Sequence, residues 1–200
     1  MKRLYVVAAA LSLGACSSMP SWMPGGGWTT LIDGEKGLEN FDRVGDVNWR
    51  AEDGAIVGDR GKGGFLKSKQ SYKDFQLRIE FWAAPNANSG IYMRCAEPNN
   101  LNDKSCYEAN IFDQRPDQTY ATGGIVHRGK LLQTVKAGGK WNTYDITVQG
   151  KKMTVVLNGI KTSEIDSVES PSGPFALQFG NLPKAPGGAI KFRKVQIRSL

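Results

Sequence analysis

The stretch Phe75-Gln76-Leu77-Arg78-Ile79-Glu80-Phe81-Trp82 alternates between apolar residues and a second set that is mainly polar. This period of two predicts a β-strand with one buried face and one polar face, because successive strand side chains point in opposite directions. No run has convincing helical periodicity. We therefore expect an all-β fold, namely a two-sheet antiparallel jelly-roll sandwich of about eleven strands. The other predicted strands are 49–52, 55–57, 63–67, 89–94, 107–113, 141–149, 152–157, 160–165, 175–179 and 189–200.

Turn signals separate these strands. The chain contains 24 glycines and 9 prolines, which punctuate many short segments. Asp53-Gly54 and Asn158-Gly159 are dipeptides that favour two-residue type I′ turns, so each predicts a tight hairpin, and Gly150 predicts a third. In the last strand the inward-facing positions change phase, which predicts a β-bulge near Arg193-Lys194.

The N-terminus predicts export. Met1-Lys2-Arg3 is followed by an apolar run from Leu4 to Leu13 and then by Gly14-Ala15-Cys16. Two cations, about ten apolar residues and small residues before a cleavage point are typical of a secretory signal peptide, here residues 1–15. The order Leu-x-Gly-Ala-Cys resembles a bacterial lipobox, which predicts acylation of Cys16. An ordinary signal peptide with an unmodified cysteine is the alternative.

Acyl chains on Cys16 predict a membrane-anchored lipoprotein of the bacterial cell envelope, without a spanning helix. Ser17 favours the outer membrane, by resemblance to Gram-negative lipoproteins, and leaves open whether the domain faces the periplasm or the surface. Residues 16–27 are rich in Ser, Pro and Gly and predict a flexible tether. Residues 28–200 are long enough for one folded domain.

Charge and cysteine content narrow the partners and the compartment. The net charge of +7 falls to +5 once Lys2 and Arg3 are removed, and it is spread without a basic block, so nucleic acid is excluded as the expected partner. Cys95 and Cys106 then remain as an even pair around the polar stretch 96–105, which predicts a disulfide in an oxidising compartment. A metal site is the alternative, but neither the spacing nor neighbouring histidines favour it.

Large polar and aromatic residues occupy the outward positions of three successive predicted strands. They predict one polar face on one sheet, and carboxylates, guanidinium, amides and aromatic rings are groups that bind sugar hydroxyls and ring faces. A solvated face with weak salt bridges is the alternative. The residues are Arg78, Glu80 and Trp82, then Tyr92 and Arg94, then Glu108 and Asn110, with Gln178 from a later strand.

Many of these stretches resemble the 3-keto-disaccharide hydrolase domain family, in order and over nearly the whole chain from Trp28. The family is similar in fold to the concanavalin-A-like lectin/glucanase jelly rolls. The resemblance implies activity on glycosides oxidised at carbon 3, as a hydrolase or by elimination followed by hydration. The matching stretches include 27–34, 49–57, 75–81, 88–94, 107–113, 122–125, 141–144, 157–159, 173–178 and 190–193.

Elimination needs a base near carbon 2, a group that stabilises the enolate, and an acid for the leaving oxygen. Onto these roles the resemblance places two carboxyls, with base and acid unassigned, and a set of residues that bind the substrate. Asp113 is a weaker candidate, for a cation or a turn cap. The catalytic carboxyls are Glu80 and Glu108, and the substrate-binding residues are Asn88, Tyr92, Arg94, Asn110, Trp82, Gln178 and His127.

Other readings remain open from the residues. His127 is the only histidine, and a polar surface role is the alternative to catalysis or metal binding. No metal ligands are assigned; a divalent ion, if present, would be held by carboxylate and amide oxygens, which favours Ca²⁺ or Mg²⁺. A non-catalytic carbohydrate-binding lipoprotein and a structural envelope lipoprotein share the same predicted fold. The sequence predicts no oligomeric state.

Overall fold

The protein is a sandwich of two antiparallel sheets in a computed structural model that describes residues 27–200. The predicted signal peptide, the predicted lipid site at Cys16 and the tether up to residue 26 lie outside the described residues. Within residues 27–200 the only helical elements are 3-10 turns at Leu38–Asn40 and Gln118–Tyr120. No helix in this part of the chain has the length and apolar character needed to cross a membrane.

Thirteen strands build the two sheets. One sheet has eight strands in the order β11-β10-β9-β6-β13-β4-β3, with β1 also paired to β13, and the other has five in the order β2-β5-β12-β7-β8. This architecture confirms the predicted all-β, two-sheet jelly-roll fold. The strands are β1 Thr29–Asp33, β2 Phe41–Val47, β3 Arg50–Glu52, β4 Ala55–Gly58, β5 Gly61–Ser68, β6 Phe75–Ala83, β7 Ser89–Met93, β8 Tyr107–Ile111, β9 Trp141–Gln149, β10 Lys152–Leu157, β11 Ile160–Ile165, β12 Ala176–Phe179 and β13 Ile190–Ser199.

The predicted turns and the predicted bulge are confirmed. Asp53-Gly54 joins β3 to β4 and Asn158-Gly159 joins β10 to β11, and all four residues have positive φ, as a type I′ turn requires. In the pairing of β13 with β6, Phe192 faces Phe81 while Lys194 faces Glu80. Arg193 is therefore the extra residue, and the inward phase of β13 changes at this point.

Two strands before Trp49, β1 and β2, were missing from the sequence-based prediction. β2 lies at the end of the five-stranded sheet and pairs only with β5. Most of its side chains are exposed, so its sequence does not alternate. Gly45 within it has a φ of 85° and packs so closely on Gly63 and Gly64 that a Cβ would clash with backbone. Gly45 therefore allows this close contact, and it also interrupts the alternation of apolar and polar residues by which a strand is predicted.

The core lies between the two sheets. Leu77, Ile79 and Phe81 of β6 are at most 1% exposed, as are Ile91 of β7 and Leu177 of β12 in the facing sheet. Fully burying a side chain of this size contributes about 1.5–3 kcal/mol. The hydroxyl of Tyr144 on β9 crosses this core and donates to the backbone oxygen of Asn110 on β8, at 2.5 Å. The predicted inward face of each strand is therefore confirmed.

The prediction that one sheet carries all the polar residues is wrong. β6, with Arg78, Glu80 and Trp82, belongs to the eight-stranded sheet, whereas β7, β8 and β12 belong to the five-stranded sheet. The chain crosses between the sheets after Ala83. Alternation distinguishes inward from outward positions, but it does not say to which sheet a strand belongs. The two polar sets therefore lie on opposite outer faces of the sandwich.

Candidate functional site

The strongest candidate site lies on the outer face of the five-stranded sheet, around Glu108 on β8. Register places Tyr92 of β7 directly opposite Glu108, and Gly90 opposite Asn110. The carboxyl of Glu108 lies over Gly90 so closely that a Cβ on that residue would be 2.4 Å from its Oε1. The absence of a side chain at Gly90 lets the carboxyl lie against the sheet. Glu108 is 6% exposed.

The surroundings of Glu108 favour its neutral form. Burial raises the pKa of the Glu108 carboxyl to about 7, and the negative charge of Asp103 acts in the same direction. The Tyr92 hydroxyl and the positive charge of Arg115 oppose this effect and lower the pKa. A carboxyl that exchanges its proton near neutral pH is suited to general acid or base work.

Two buried amide oxygens beside Glu108 have no hydrogen-bond partner. Gln178 on β12 donates from Nε2 to the Tyr92 hydroxyl at 3.0 Å, and its Oε1 is left unpaired. Asn110 donates from Nδ2 to the backbone oxygen of Tyr120, and its Oδ1 is unpaired. Buried acceptors are almost always satisfied in folded proteins. Both oxygens are therefore buried acceptors that no donor of the described residues satisfies.

A cavity of about 440 Å³ opens where β7 begins and β8 ends. Glu108 does not line it, but Arg115 on its wall is close enough to influence the pKa of Glu108. Asn88 lies on its wall and donates from Nδ2 to the backbone oxygen of Asn181 at 2.7 Å. Arg115, in the loop that follows β8, also lines the cavity, and its buried Nε has no partner. The full lining is Asn88, Phe112, Arg115, Pro116, Asp117, Asn181 and Pro183.

The predicted disulfide between Cys95 and Cys106 is confirmed, with the two Cα atoms 4.2 Å apart. It closes the loop 96–105, which brings Asp103 close enough to influence the pKa of both Tyr92 and Glu108. Asp103 Oδ2 also lies 3.1 Å from Nε2 of His127, whose side chain is 58% exposed. The loop and His127 therefore form a rim beside Glu108.

Arg94 does not face the site, contrary to the sequence-based prediction. It follows β7 with a φ of 45°, and this turn directs the guanidinium into the protein, where it is 2% exposed. Its donors are used by the backbone oxygens of Lys73, Gly150 and Ser170 and by the Asp74 carboxylate at 2.8 Å. Arg94 therefore ties three segments together with four of its five N–H donors, and its burial keeps it from a sugar on the outer face.

Glu80, Arg78 and Trp82 also lie away from the site, on the outer face of the eight-stranded sheet. Glu80 accepts from Arg193 Nε at 2.6 Å, and Arg78 donates to Asp145 at 2.7 Å. The Lys191 ammonium lies 5.6 Å from the centre of the Trp82 ring. On this face the charged side chains pair with one another in salt bridges. The prediction that Glu80 and Glu108 converge is wrong.

Asp113 acts as a loop anchor. Its carboxylate accepts from the Thr122 hydroxyl at 2.6 Å and from the backbone N–H groups of Ala137 and Gly138. Of the two alternatives left open by the sequence, the structure therefore favours the turn cap. Among residues 27–200 no group of three or more His, Cys, Asp or Glu side chains is arranged to hold a metal ion.

The structure brings together four of the nine predicted site residues around one carboxyl, namely Tyr92, Asn110 and Gln178 with Glu108 itself. Asn88 lies on the adjoining cavity wall and His127 on the rim. Sequence reasoning missed Asp103 and Arg115 as site residues, because both lie in loops where no periodicity indicates direction. The only signal for Asp103 was the polar stretch between the two cysteines.

Known structures share this fold. Two candidate glycosyl hydrolases from Parabacteroides distasonis match with TM-scores of 0.74 and 0.70, at 18% and 24% identity. The matches cover 87% and 88% of this chain, and 94% and 100% of theirs. The carbohydrate binding module CBM66 from Bacillus subtilis matches with a TM-score of 0.55 at 15% identity, over 91% of this chain and all of its own. The comparison with curated proteins returns no match.

A family model matches almost the whole described chain, over residues 27–198. This match confirms the family resemblance read from the sequence. It covers every strand that contributes to the site around Glu108. The chain belongs to the 3-keto-alpha-glucoside-1,2-lyase-like domain family.

Proposed function

We propose that this protein cleaves glycosides whose sugar carries a ketone at carbon 3, by β-elimination at the site around Glu108. The ketone makes the hydrogen on carbon 2 acidic. Glu108 takes this proton, the electron pair forms the double bond between carbons 1 and 2, and the bond from carbon 1 to the leaving oxygen breaks. The leaving oxygen takes up a proton. Later addition of water across the double bond would give net hydrolysis.

The position and environment of Glu108 carry this proposal. The carboxyl is nearly buried, its pKa is raised to about 7 by burial, and two unpaired amide oxygens lie beside it. A base works best when its pKa is near the operating pH, so Glu108 can both accept and return a proton at neutral pH. Gln178 Oε1 and Asn110 Oδ1 would accept from the hydroxyl groups of the sugar.

Elimination is favoured over hydrolysis by the predicted pair of carboxyls, Glu80 and Glu108. That mechanism needs its carboxyl groups about 5–9.5 Å apart, across the scissile bond. Glu80 and Glu108 lie on opposite outer faces of a sandwich whose sheets alone are about 10 Å apart. A single base at carbon 2 requires no second carboxyl in that range.

The second candidate function is carbohydrate binding without turnover. It is supported by the fold that the chain shares with the carbohydrate binding module CBM66. The two functions predict the same ligand class. They differ in whether bound sugar is consumed.

The test is to mix the purified protein with a 3-keto-β-glucoside or 3-keto-trehalose and to follow release of the leaving group. We expect turnover that falls at least about 100-fold in Glu108→Gln, because a general base is lost. Glu80→Gln is the matched control, since it makes the same change on the opposite face, and its turnover should stay at the wild-type level. Thermal unfolding of each variant checks that it is folded.

Three results separate the candidates. Exchange of the carbon 2 hydrogen for deuterium in heavy water, lost in Glu108→Gln, supports elimination. Saturable binding of the keto-sugar with no turnover in the wild type supports the binding module. Equal losses of turnover in Glu80→Gln and Glu108→Gln would contradict the assignment of the base.

We also propose that the domain acts at the bacterial envelope, anchored by lipid on Cys16. The order of cations, apolar residues and Leu-x-Gly-Ala before Cys16 supports this location. So does the disulfide, because such bonds persist in exported proteins and are rare in the reducing cytosol.

A further inference from the structure

The proposed elimination requires a group that stabilises negative charge on the substrate, and the residue predicted from the sequence does not reach the site. When the carbon 2 proton leaves, negative charge develops on the oxygen of carbon 3. A fixed cation or donor near that oxygen is usually a large contribution to such a reaction. Arg94 was expected to bind the substrate, but it is buried and four of its five N–H donors are bound inside the fold.

Arg115 lies within electrostatic reach of Glu108. Its positive charge is one of the influences that lower the pKa of the Glu108 carboxyl. The loop that carries it leaves the end of β8, the strand of Glu108, and turns where Arg115 N–H donates to the backbone oxygen of Phe112 at 3.3 Å. Gln118 donates to the backbone oxygen of Arg115 and holds this loop in place.

The guanidinium of Arg115 lacks a partner within the protein. Among residues 27–200, no carboxylate lies within 4.0 Å of its nitrogens, whereas Arg50, Arg78 and Arg193 each have one at close range. Its Nε is shielded from solvent and makes no hydrogen bond. A shielded donor with no acceptor is rare in a folded protein and calls for an explanation.

Arg115 also faces a space that is large enough for a sugar. The cavity that it lines has a volume of about 440 Å³ and carries the side chains of Asn88 and Asn181 on its wall. Ligand sites commonly have volumes of roughly 300–1,000 Å³. Phe112, Pro116 and Pro183 supply apolar surface on the same wall.

We propose that Arg115 is a catalytic residue that binds the oxygen on carbon 3 of the keto-sugar, with part of the sugar in this cavity and its carbon 2 turned toward Glu108. This inference rests on the proposed function. Glu108 takes the proton from carbon 2, and the electron pair moves onto the carbon 3 oxygen, where the guanidinium stabilises it. The pair then returns to form the double bond between carbons 1 and 2 as the leaving group departs. No oxidant or reductant is consumed.

The test compares Arg115→Gln, Arg115→Lys and a control, Arg78→Gln, in which the same change is made on the opposite outer face. We expect Arg115→Gln to lower kcat by about 100-fold and to slow exchange of the carbon 2 hydrogen, because one donor to an oxyanion is lost. Arg115→Lys keeps the charge and should recover part of this loss. Arg78→Gln should match the wild type.

A pH profile separates catalysis from a structural role. The groups that face Glu108 are Tyr92 on β7, Asp103 in the disulfide loop and Arg115 after β8. Arg115 is the positively charged group among them and lowers the pKa of Glu108. The midpoint of the pH profile of kcat/KM should therefore move to higher pH in Arg115→Gln and stay near the wild-type value in Arg115→Lys. If Arg115→Gln does not fold, a lower kcat in Arg115→Lys at an unchanged midpoint still supports the proposal.

The outcomes distinguish this inference from the function on which it rests. Turnover by the wild type, lost in Glu108→Gln and unchanged in Arg115→Gln, overturns the role of Arg115 and leaves elimination standing. An equal fall in Arg115→Gln and Arg78→Gln also overturns it. No turnover by the wild type contradicts both proposals together.

Discussion

Glu108 is held where its charged form is disfavoured, and this has a cost in stability. Its carboxyl has a pKa of 4.5 in the unfolded chain and of about 7 in the folded protein, mainly because it is buried. The folded state therefore binds the proton more tightly. The stability that results is fully present below pH 4.5 and is lost as the pH rises through 7. A shift of this size corresponds to about 3 kcal/mol.

Because glutamine does not ionise, we expect Glu108→Gln not to lose this stability as the pH rises through 7. Relative to the wild type, its free energy of unfolding should rise by about 3 kcal/mol between pH 4 and pH 9. Urea denaturation at both ends of the range measures the difference. Parallel pH dependence in the two proteins would contradict the raised pKa. Turnover should instead increase with pH over the same window, because the base must be ionised.

Gly90 offers a test of the position of that carboxyl. A Cβ at this residue would lie 2.4 Å from Oε1 and 2.8 Å from Cγ of Glu108, so the buried glutamate side chain must shift. Gly90→Ala should therefore lower the free energy of unfolding by about 1–3 kcal/mol. Its turnover should still fall by about 10–100-fold, since small displacements of a reacting group are costly. The double variant with Glu108→Gln should be no slower than Glu108→Gln alone. An additive loss would show that Gly90 acts elsewhere.

At the scale of strands, alternation predicted which side chains face the core but not which sheet they belong to. The inward positions of β6, β7 and β8, the type I′ turns and the bulge at Arg193 all follow from local patterns. Glu80 and Glu108 have the same local pattern, so their separation depends on the crossing after Ala83, which no local pattern encodes. Arg94 was misplaced for a different reason: a positive φ at the end of β7 ends the alternation one residue early.

Loops were the least predictable elements, because their direction is set by tertiary contacts. Backbone hydrogen bonds within the loop position Arg115, and the disulfide positions the loop of Asp103. A pattern of apolar residues predicts neither of these contacts. The cysteine pair was predictable from parity alone. Its effect on Glu108 was not, because that depends on where Asp103 lies once the loop is closed.

The disulfide loop supports two measurements. Cys95 and Cys106 lie 11 positions apart in the sequence, so losing their bond in Cys95→Ala/Cys106→Ala should lower the free energy of unfolding by about 3 kcal/mol. Release of Asp103 removes a negative charge that raises the pKa of Glu108. The midpoint of the pH–rate profile should therefore move to lower pH. Asp103→Asn should reproduce the shift in pH without the loss of stability. A loss of stability with no shift would place Asp103 outside the site.

At the scale of the molecule, the start of the described chain and the site lie on opposite sides of the sandwich. The Trp28 ring packs against Arg78 and Arg198 on the outer face of the eight-stranded sheet, with the two guanidinium carbons 5.2 and 5.0 Å from its centre. Glu108 lies on the outer face of the five-stranded sheet. A domain held through residues before Trp28 can therefore turn its site away from the surface that anchors it.

This arrangement makes attachment and catalysis separable. We expect Cys16→Ser to move the protein from the membrane fraction to the soluble fraction, because the acyl chains that would anchor it are missing. Turnover of a small soluble keto-glycoside should be unchanged, since every residue of the site lies between Asn88 and Asn181. Fractionation of cells that express each form, followed by assays of both fractions, measures the two effects. Membrane retention of Cys16→Ser would contradict the lipid anchor, and a loss of turnover would mean that residues near Cys16 contribute to the site.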